Sequence, residues 1–294
     1  MLCRQVISLS NISKHLLHRY ASSSSSASSS TSLVNISKSD NNQICRITLN
    51  NVRQRNILSL AMLNDLIKAL EDNEKHSRVI ILTAGDQKVF SSGHSLKELS
   101  ELSKTNACGS VFDRCTEFML KIRQLSIPVI AEVFGLAAAA GCQMVASCDI
   151  VVAGENASFS VPGVKHGLFC ITPAVAVRRS ITNPKLSSLM LFTGEPISAT
   201  EAYNHGLVSR VVGENDLERE TNKIAQQICA HSRAVVAVGK KYLQMKDEKE
   251  HLLQDYQIAT RGMIENLQLK DTQHGLESFI KKTRPTWTHQ NDKI

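Results

Sequence analysis

The stretch GLAAAAGCQMVASCDIVVAG, from Gly135 to Gly154, decides the fold. It places four alanines between two glycines and follows PVIAEV, a short apolar run typical of a strand covered on both faces. A strand that leads through small residues into a helix leaves unpaired backbone N–H groups at the helix start. Such an end can bind an anion or a developing oxyanion, and small side chains let a carbonyl group approach it. Close packing of the helix on a sheet would also favour alanine, so this corner alone leaves both interpretations open.

A second stretch, VFSSGHSLKEL, repeats this arrangement about 45 residues earlier. It follows a strand, puts Gly93 at a tight turn and starts a helix at Ser95. Two such turns can direct two N–H groups at one oxygen atom. The pair therefore favours an oxyanion site over simple packing.

The rest of the chain predicts an α/β fold with a helical carboxyl end. Folded structure is expected to begin near Asn42. Strands are predicted at QICRITLN, RVIILTA, PVIAEV, DIVVAG and ASFSV, and helices over 58–75, 111–125 and from the alanine-rich corner onward. After Pro173 the pattern predicts helices over 174–181, 184–192, 198–204, 215–230, 234–246, 251–268 and 271–282, interrupted only by the strand LVSRVV.

The first 39 residues differ in composition from the remainder. They hold Arg4, Lys14, Arg19 and Lys38 and no Asp or Glu, and so supply much of the formal net charge of +7. An amphipathic basic start followed by the serine run of 22–32 is typical of a mitochondrial presequence and a linker, with a disordered tail as the alternative. We expect import into the mitochondrial matrix. No apolar run reaches the roughly 18 residues that a membrane span needs.

Cysteines and charges exclude two further classes of function. The eight cysteines form no C-x-x-C pair and no cluster with histidine, so we expect buried free thiols and no metal site. The first helix mixes Lys68 and Lys75 with Asp65, Glu71 and Asp72. That mixture is typical of a solvated face, and we expect no nucleic-acid partner.

Three stretches together resemble one known family. FSSGHSLKEL, PVIAEVFGLAAAAGCQMVASCDIVVAGENASFSVPGVKHGL and LMLFTGEPISATEAYNHGLVSRVV are similar, in order and spacing, to the crotonase or enoyl-CoA hydratase/isomerase superfamily over about residues 42–285. The resemblance implies a crotonase-like spiral of ββα repeats with a helical carboxyl-terminal trimerisation region, and assembly as a homotrimer or dimer of trimers. We divide the chain into a targeting segment and linker (1–40), the spiral core (41–220) and the helical region (221–294).

The resemblance also implies a ligand and its contacts. The ligand would be an acyl-CoA thioester, with coenzyme A as part of it and no separate cofactor. By motif position, the backbone N–H groups of His94 and Ala140 would form the catalytic oxyanion hole. The other implied ligand contacts are Ser92, Gly93, Ser95, Leu96, Lys97, Gly141, Gln143, Gly163 and Lys282. Of these, the stretch from Ser92 to Lys97 would lie along the pantetheine and adenine of coenzyme A. Lys282 would lie near the CoA phosphate.

Two departures from the family pattern bear on activity. Gln143 and Gly163 stand where the hydratases of the family have glutamates. Hydration of an enoyl thioester uses two carboxylates to hold one water and to move protons, which neither residue can do. We expect weak or absent hydratase activity, and we expect glutamates at both positions to give measurable hydration. His166 as an active-site base is a weaker interpretation than a surface-loop histidine next to Gly167. Cys170 as a nucleophile is weaker still, because the sequence gives it no adjacent acid and histidine partners.

These observations favour an acyl-CoA-binding protein of mitochondrial fatty acid metabolism. The alternative is an acyl-CoA enzyme of isomerase, decarboxylase or thioesterase type, which would rely on enolate stabilisation at the oxyanion corner. An RNA-binding member of the same superfamily is a third interpretation, which the mixed charges of the first helix disfavour.

Overall fold

The computed structural model describes residues 32–105, 107–243 and 249–287. Within them lie ten strands: β1 (Val34–Ser39), β2 (Ile44–Leu49), β3 (Val79–Thr83), β4 (Val89–Ser91), β5 (Val129–Val133), β6 (Leu136–Ala138), β7 (Ile150–Gly154), β8 (Ser158–Ser160), β9 (Ile197–Ser198) and β10 (Arg210–Val212). The same residues contain eleven α-helices: α1 (Leu60–Glu74), α2 (Leu96–Ser103), α3 (Gly109–Gln124), α4 (Ala140–Ser147), α5 (Ile171–Ser180), α6 (Pro184–Thr193), α7 (Ala199–Asn204), α8 (Leu217–Cys229), α9 (Arg233–Leu243), α10 (Lys249–Leu267) and α11 (Lys270–Lys281).

Consecutive strands enter two different sheets. One sheet has the order β1-β2-β3-β5-β7-β10 and the other β4-β6-β8-β9. The pairs β3–β4, β5–β6 and β7–β8 each send their first strand to the six-stranded sheet and their second to the four-stranded sheet, and each pair is followed by a helix. Neighbouring strands from successive pairs are parallel. This is a spiral of ββα repeats, and it confirms the predicted fold.

The strands of the spiral form because their residues can be buried on both faces. All five residues of β3 and of β5 are buried, which explains their nearly continuous apolar sequences. Helix α1 covers one side of the larger sheet with an apolar face that includes Met62, Leu66 and Leu70. Its start is fixed by Ser59, whose side chain accepts a hydrogen bond from the N–H of Met62 at 3.3 Å.

The expected start of the folded region, near Asn42, is wrong. Strand β1 pairs antiparallel with β2 from Val34 to Ser39, inside the segment assigned to the leader and linker. Only Val34 of this edge strand is buried. Because the strand is polar and follows a serine run, its sequence carries little apolar alternation. Strands β4, β6 and β9 were also not predicted, because two or three residues are too few to show an alternating apolar pattern.

A buried lysine ties the helical carboxyl end to the spiral. Lys240 of α9 donates from Nζ to the backbone oxygens of Ile122 at 3.0 Å and Ile127 at 2.9 Å. Its third bond, at 2.6 Å, goes to the carboxylate of Asp149, which also accepts from the N–H of Val129. Burial lowers the pKa of Lys240, and the Asp149 carboxylate opposes that shift. Since a buried charge persists only when it is paired, this contact anchors α9.

Candidate functional site

The two small-residue corners meet at one end of the four-stranded sheet. Strands β4 and β6 are parallel neighbours, so the turns that follow them lie side by side. Gly93 has a φ of +84°, and a Cβ atom added there would lie 2.7 Å from the Cβ of Ala139 and 3.0 Å from the N of Ala140. A Cβ at Gly141 would lie 2.6 Å from the carbonyl oxygen of Ser91. Only residues without side chains allow this approach of the two backbones.

The corner presents backbone donors from both turns. Ala140 is the first residue of α4, so its N–H has no acceptor within the helix. Outside the regular helix and strand ladders, no hydrogen bond between described residues uses the N–H of Ala140 or of His94. The chain reaches this geometry through Ala139, at φ 50° and ψ −120°, a conformation that alanine adopts rarely and at a cost. Two such donors on adjoining turns form a candidate oxyanion site.

The loop after β2 holds the first corner in place. Arg55 and Asn56 are consecutive residues with left-handed backbones, at φ 54° and 50°. The carbonyl oxygen of Arg55 accepts from the N–H of Ser92 at 3.0 Å, and that of Asn56 accepts from Ser91 Oγ at 2.7 Å. Sequence reasoning missed this support. An asparagine tolerates a left-handed backbone, but the preceding arginine gives no such signal.

The imidazole of His94 packs inward. Its Nδ1 lies 3.0 Å from the carbonyl oxygen of Leu58, which can only accept, so Nδ1 carries the hydrogen. The ring meets Phe112 edge to face, with centroids 5.5 Å apart. Burial lowers the pKa of His94, and the Leu58 bond opposes this shift. The imidazole is therefore neutral, with an unprotonated, buried Nε2 that makes no hydrogen bond to any described residue.

Gln143 carries the second polar group of the site. The residue is 0% exposed, and neither Oε1 nor Nε2 makes a hydrogen bond of normal geometry within the described residues. The phenol of Tyr256 lies nearby: burial raises the pKa of Tyr256 to about 12, while interactions with Gln143 and with Ser147 act in the opposite direction. Sequence reasoning missed Tyr256, because an aromatic residue in a predicted helix is usually a core residue.

Gly163 has no room for a side chain. A Cβ atom there would lie 2.5 Å from the carbonyl oxygen of Leu168 and 2.7 Å from Sγ of Cys170. The N–H of Gly163 donates to that sulfur at 3.2 Å. This crowding argues against the expectation that glutamates at both family positions would give hydration, because a side chain at Gly163 would need the loop to move. Burial also raises the pKa of Cys170 to about 12, so this residue is a neutral thiol and not a nucleophile.

The loop that follows Gly163 is tied to the last two helices. The side-chain oxygen of Asn266 accepts from the N–H of Phe169 at 2.6 Å, and Thr272 Oγ1 donates to the carbonyl oxygen of Gly167 at 2.7 Å. The ring of His166 packs on Phe279, with centroids 5.2 Å apart. Burial lowers the pKa of His166, with Lys165 adding to the effect. These contacts give His166 a packing role.

The remaining predicted ligand residues lie around the corner in two groups. Ser95 caps α2, and its Oγ accepts from the N–H of Glu98 at 3.2 Å. Leu96 and Lys97 form the first turn of that helix, with Lys97 exposed. Lys282 is exposed at the end of α11, which packs against α2. The structure thus brings together the residues of the corner, whereas Lys282 lies on a separate element, at the carboxyl end of α11.

The described ranges contain neither a candidate metal site nor a candidate membrane-spanning helix. No group of three or more His, Cys, Asp and Glu residues there could hold a metal ion. In the same residues no helix has the length and apolar character needed to cross a bilayer. Of the seven described cysteines six are buried, and none forms a disulfide within these ranges.

Comparison with known proteins gives consistent matches. The family model for enoyl-CoA hydratase/isomerase matches residues 39–290. Enoyl-CoA hydratase domain-containing protein 3, mitochondrial, from Xenopus laevis is 51% identical over 250 residues, covering 84% of this chain and 83% of that protein. The crystal structure of the human enoyl coenzyme A hydratase domain-containing protein 3 has 45% identity and a TM-score of 0.70, covering 87% of this chain and 100% of that one. Methylmalonyl-CoA decarboxylase complexed with 2S-carboxypropyl-CoA has 26% identity and a TM-score of 0.76, with 89% and 100% covered.

Proposed function

Because the chain belongs to the enoyl-CoA hydratase/isomerase family, we propose that it binds acyl-CoA thioesters and holds the thioester oxygen at the corner between Gly93 and Ala140. The observation that carries this proposal is the approach of the two turns, which leaves space for no Cβ atom at Gly93. His94 and Ala140 would supply the two N–H donors. Coenzyme A would enter as part of the ligand, and this role needs no separate cofactor.

Hydration of enoyl thioesters is not part of the proposal. Each positioned acid or base contributes about 10² to 10⁴ in rate. The site offers an amide at Gln143 and no side chain at Gly163, and nearby Cys170 is a neutral thiol. The protein would therefore bind crotonyl-CoA and hydrate it far more slowly than a hydratase with both carboxylates.

A second candidate is an enzyme that stabilises an enolate. Backbone donors at a helix start can stabilise such a charge without a nearby carboxylate. The likeness to a methylmalonyl-CoA decarboxylase bound to a carboxypropyl-CoA ligand supports this alternative. Loss of CO₂ from a malonyl-type thioester, with its product detected by chromatography, would favour it over binding alone.

We also propose a mitochondrial, oligomeric protein of fatty acid metabolism. The amphipathic basic leader predicts mitochondrial import, and the name of the Xenopus laevis relative includes this location. Oligomerisation is supported by apolar side chains that are exposed in the single chain. Phe192 on α6 is 70% exposed, and Val235, Val238 and Tyr242 on α9 are 69%, 56% and 64% exposed.

Calorimetric titration of the purified protein with butyryl-CoA, free coenzyme A and butyrate tests the proposal. We expect butyryl-CoA to bind more tightly than either part alone, since the corner recognises the thioester. Ala140→Pro removes one donor and should weaken butyryl-CoA binding, and its unfolding free energy is measured alongside because the proline ring also adds atoms beside Gly93. Ala140→Gly keeps the N–H and is the matched control. Equal binding of butyryl-CoA and free coenzyme A would contradict the proposal.

A further inference from the structure

One peptide group at the corner is fixed on its carbonyl side and open on its N–H side. It joins Gly93 to His94 and is trans, so its C=O and its N–H lie in one plane and point in opposite directions. The N–H of Leu58 donates to the carbonyl oxygen of Gly93 at 2.8 Å. This bond holds the peptide plane, and the N–H of His94 therefore points away from Leu58.

The N–H groups just before His94 in this turn are already used. Ser92 donates to the carbonyl oxygen of Arg55 at 3.0 Å, and Gly93 donates to Oγ of Ser91 at 3.2 Å. The N–H of His94, which belongs to no helix or strand, makes no hydrogen bond to a described residue. The turn is thus fixed by bonds within the protein and keeps one donor for a ligand.

The imidazole of His94 makes a second contact with the residue that holds this peptide. Its Nδ1–H donates to the carbonyl oxygen of Leu58 at 3.0 Å. Leu58 therefore binds the peptide that carries the donor and also the side chain of the donor residue. Leu58 is fully buried, so solvent does not replace either bond when it is lost. Rotation of the Gly93–His94 peptide would take the Gly93 oxygen away from Leu58, and the imidazole bond keeps Leu58 in place against it.

Packing alone does not account for a histidine at this position. Its Nε2 atom is buried and makes no hydrogen bond to any described residue, which is unfavourable for a polar group. The edge-to-face contact of the ring with Phe112 is one that an apolar side chain can replace. The bond from Nδ1–H to Leu58 is the one interaction here that an apolar side chain cannot make.

We propose that His94 is a positioning residue as well as a backbone donor: its imidazole holds Leu58, and Leu58 directs the His94 N–H at the thioester oxygen. This inference rests on the proposed function, because the corner must bind the thioester. It adds a side chain to an oxyanion site otherwise built from backbone groups. A peptide whose carbonyl oxygen accepts a hydrogen bond is also polarised into a better N–H donor. The contact with Leu58 thus affects both the direction and the strength of the donor.

The test uses the intact protein and butyryl-CoA labelled with ¹³C at its carbonyl carbon, whose resonance reports polarisation by the donors. His94→Asn keeps an N–H donor at the place of Nδ1, because its amide nitrogen lies the same number of bonds from Cα. His94→Leu fills a similar volume without a donor. We expect His94→Leu to bind about fivefold more weakly and to lose most of the downfield shift, and His94→Asn to recover most of both. His231→Leu, the same change at an exposed position, should alter neither.

The outcomes separate the inference from the proposed function. A folded His94→Leu that binds butyryl-CoA as tightly as the unmodified protein, with the same carbonyl shift, overturns the positioning role and leaves thioester binding standing. Equal losses in His94→Asn and His94→Leu overturn the assignment to the Nδ1–H group. Failure of the unmodified protein to bind butyryl-CoA contradicts the proposed function itself.

A measurement on the unmodified protein keeps the inference testable if the variants do not fold, which denaturant unfolding shows. Neutron diffraction locates the hydrogen atoms of the imidazole directly. We expect a hydrogen on Nδ1 of His94, directed at the carbonyl oxygen of Leu58. A ring that carries its hydrogen on Nε2 alone would overturn the inference.

Discussion

A Cβ atom at Gly93 would lie 3.0 Å from the backbone nitrogen of Ala140. These residues are far apart in sequence and come together because β4 and β6 are parallel neighbours. The turn at Gly93 and the start of α4 therefore share one space, from which side chains are excluded. That space is the basis for the proposed thioester-binding corner.

Gly93→Ala should weaken acyl-CoA binding and stability together. The added methyl would meet the Cβ of Ala139 and the N of Ala140, and alanine is strained at a φ of +84°. Gly85→Ala is the matched control, because Gly85 has a φ of +63° and nothing within 4 Å of an added Cβ. We expect the control to cost roughly 1–2 kcal/mol from backbone strain alone and to keep its binding. Denaturant unfolding measures the stability, and titration with butyryl-CoA measures the binding. Unchanged binding by Gly93→Ala would contradict thioester binding at the corner.

Gly163→Glu, alone or with Gln143→Glu, should destabilise the protein without producing a hydratase. The new Cβ would overlap the backbone oxygen of Leu168, and overpacking of this kind costs about 1–3 kcal/mol. Gln143→Glu alone should leave crotonyl-CoA hydration at background. The absorbance of the enoyl thioester reports hydration, with a family hydratase as the positive control. Clear turnover by the double variant would show that the loop after Gly163 can move aside.

Acid should destabilise the protein through His94. Its pKa is lowered in the folded state, so the unfolded chain binds more protons as the pH falls below about 6.5. The contribution of the neutral His94 to the free energy of unfolding is thus present above that pH. It is lost progressively as the pH falls toward the lowered pKa that His94 has in the folded protein. His166 shifts in the same direction and adds to the effect. Unfolding free energies measured from pH 7.5 to 5 should fall less steeply in His94→Gln than in the exposed control His231→Gln, and identical slopes would contradict the buried neutral imidazole.

The exposed apolar face of α9 should lie between subunits. Val238→Glu places a charge among Val235 and Tyr242, and it should reduce the oligomer mass measured by light scattering. Gln226→Glu, on the exposed side of α8, should leave the mass unchanged. We expect the unmodified protein to be a trimer or a dimer of trimers. A monomer at micromolar concentration would contradict this expectation.

Local patterns predicted the fold better than they predicted the site. Buried strands such as β3 and β5 have strong apolar runs, and the helices of the carboxyl end have clear periods. The corner was predictable because the small residues Gly93 and Ala140 indicate positions where larger side chains would not fit. Tyr256 was not, because its partner Gln143 lies on a helix more than a hundred residues earlier and only tertiary packing joins them. The lack of space for a side chain at Gly163 also depends on Cys170, which lies several positions later in the chain. No periodic pattern in the sequence indicates that these two residues are in contact.

The most direct test of thioester binding at the corner is the ¹³C resonance of butyryl-CoA labelled at its carbonyl carbon. If the N–H groups of His94 and Ala140 donate to the carbonyl oxygen, they polarise the bond, and the resonance of the bound ligand should move downfield from that of free butyryl-CoA. The shift should shrink in Ala140→Pro and persist in Ala140→Gly. A bound ligand whose carbonyl resonance matches that of the free thioester would contradict the account.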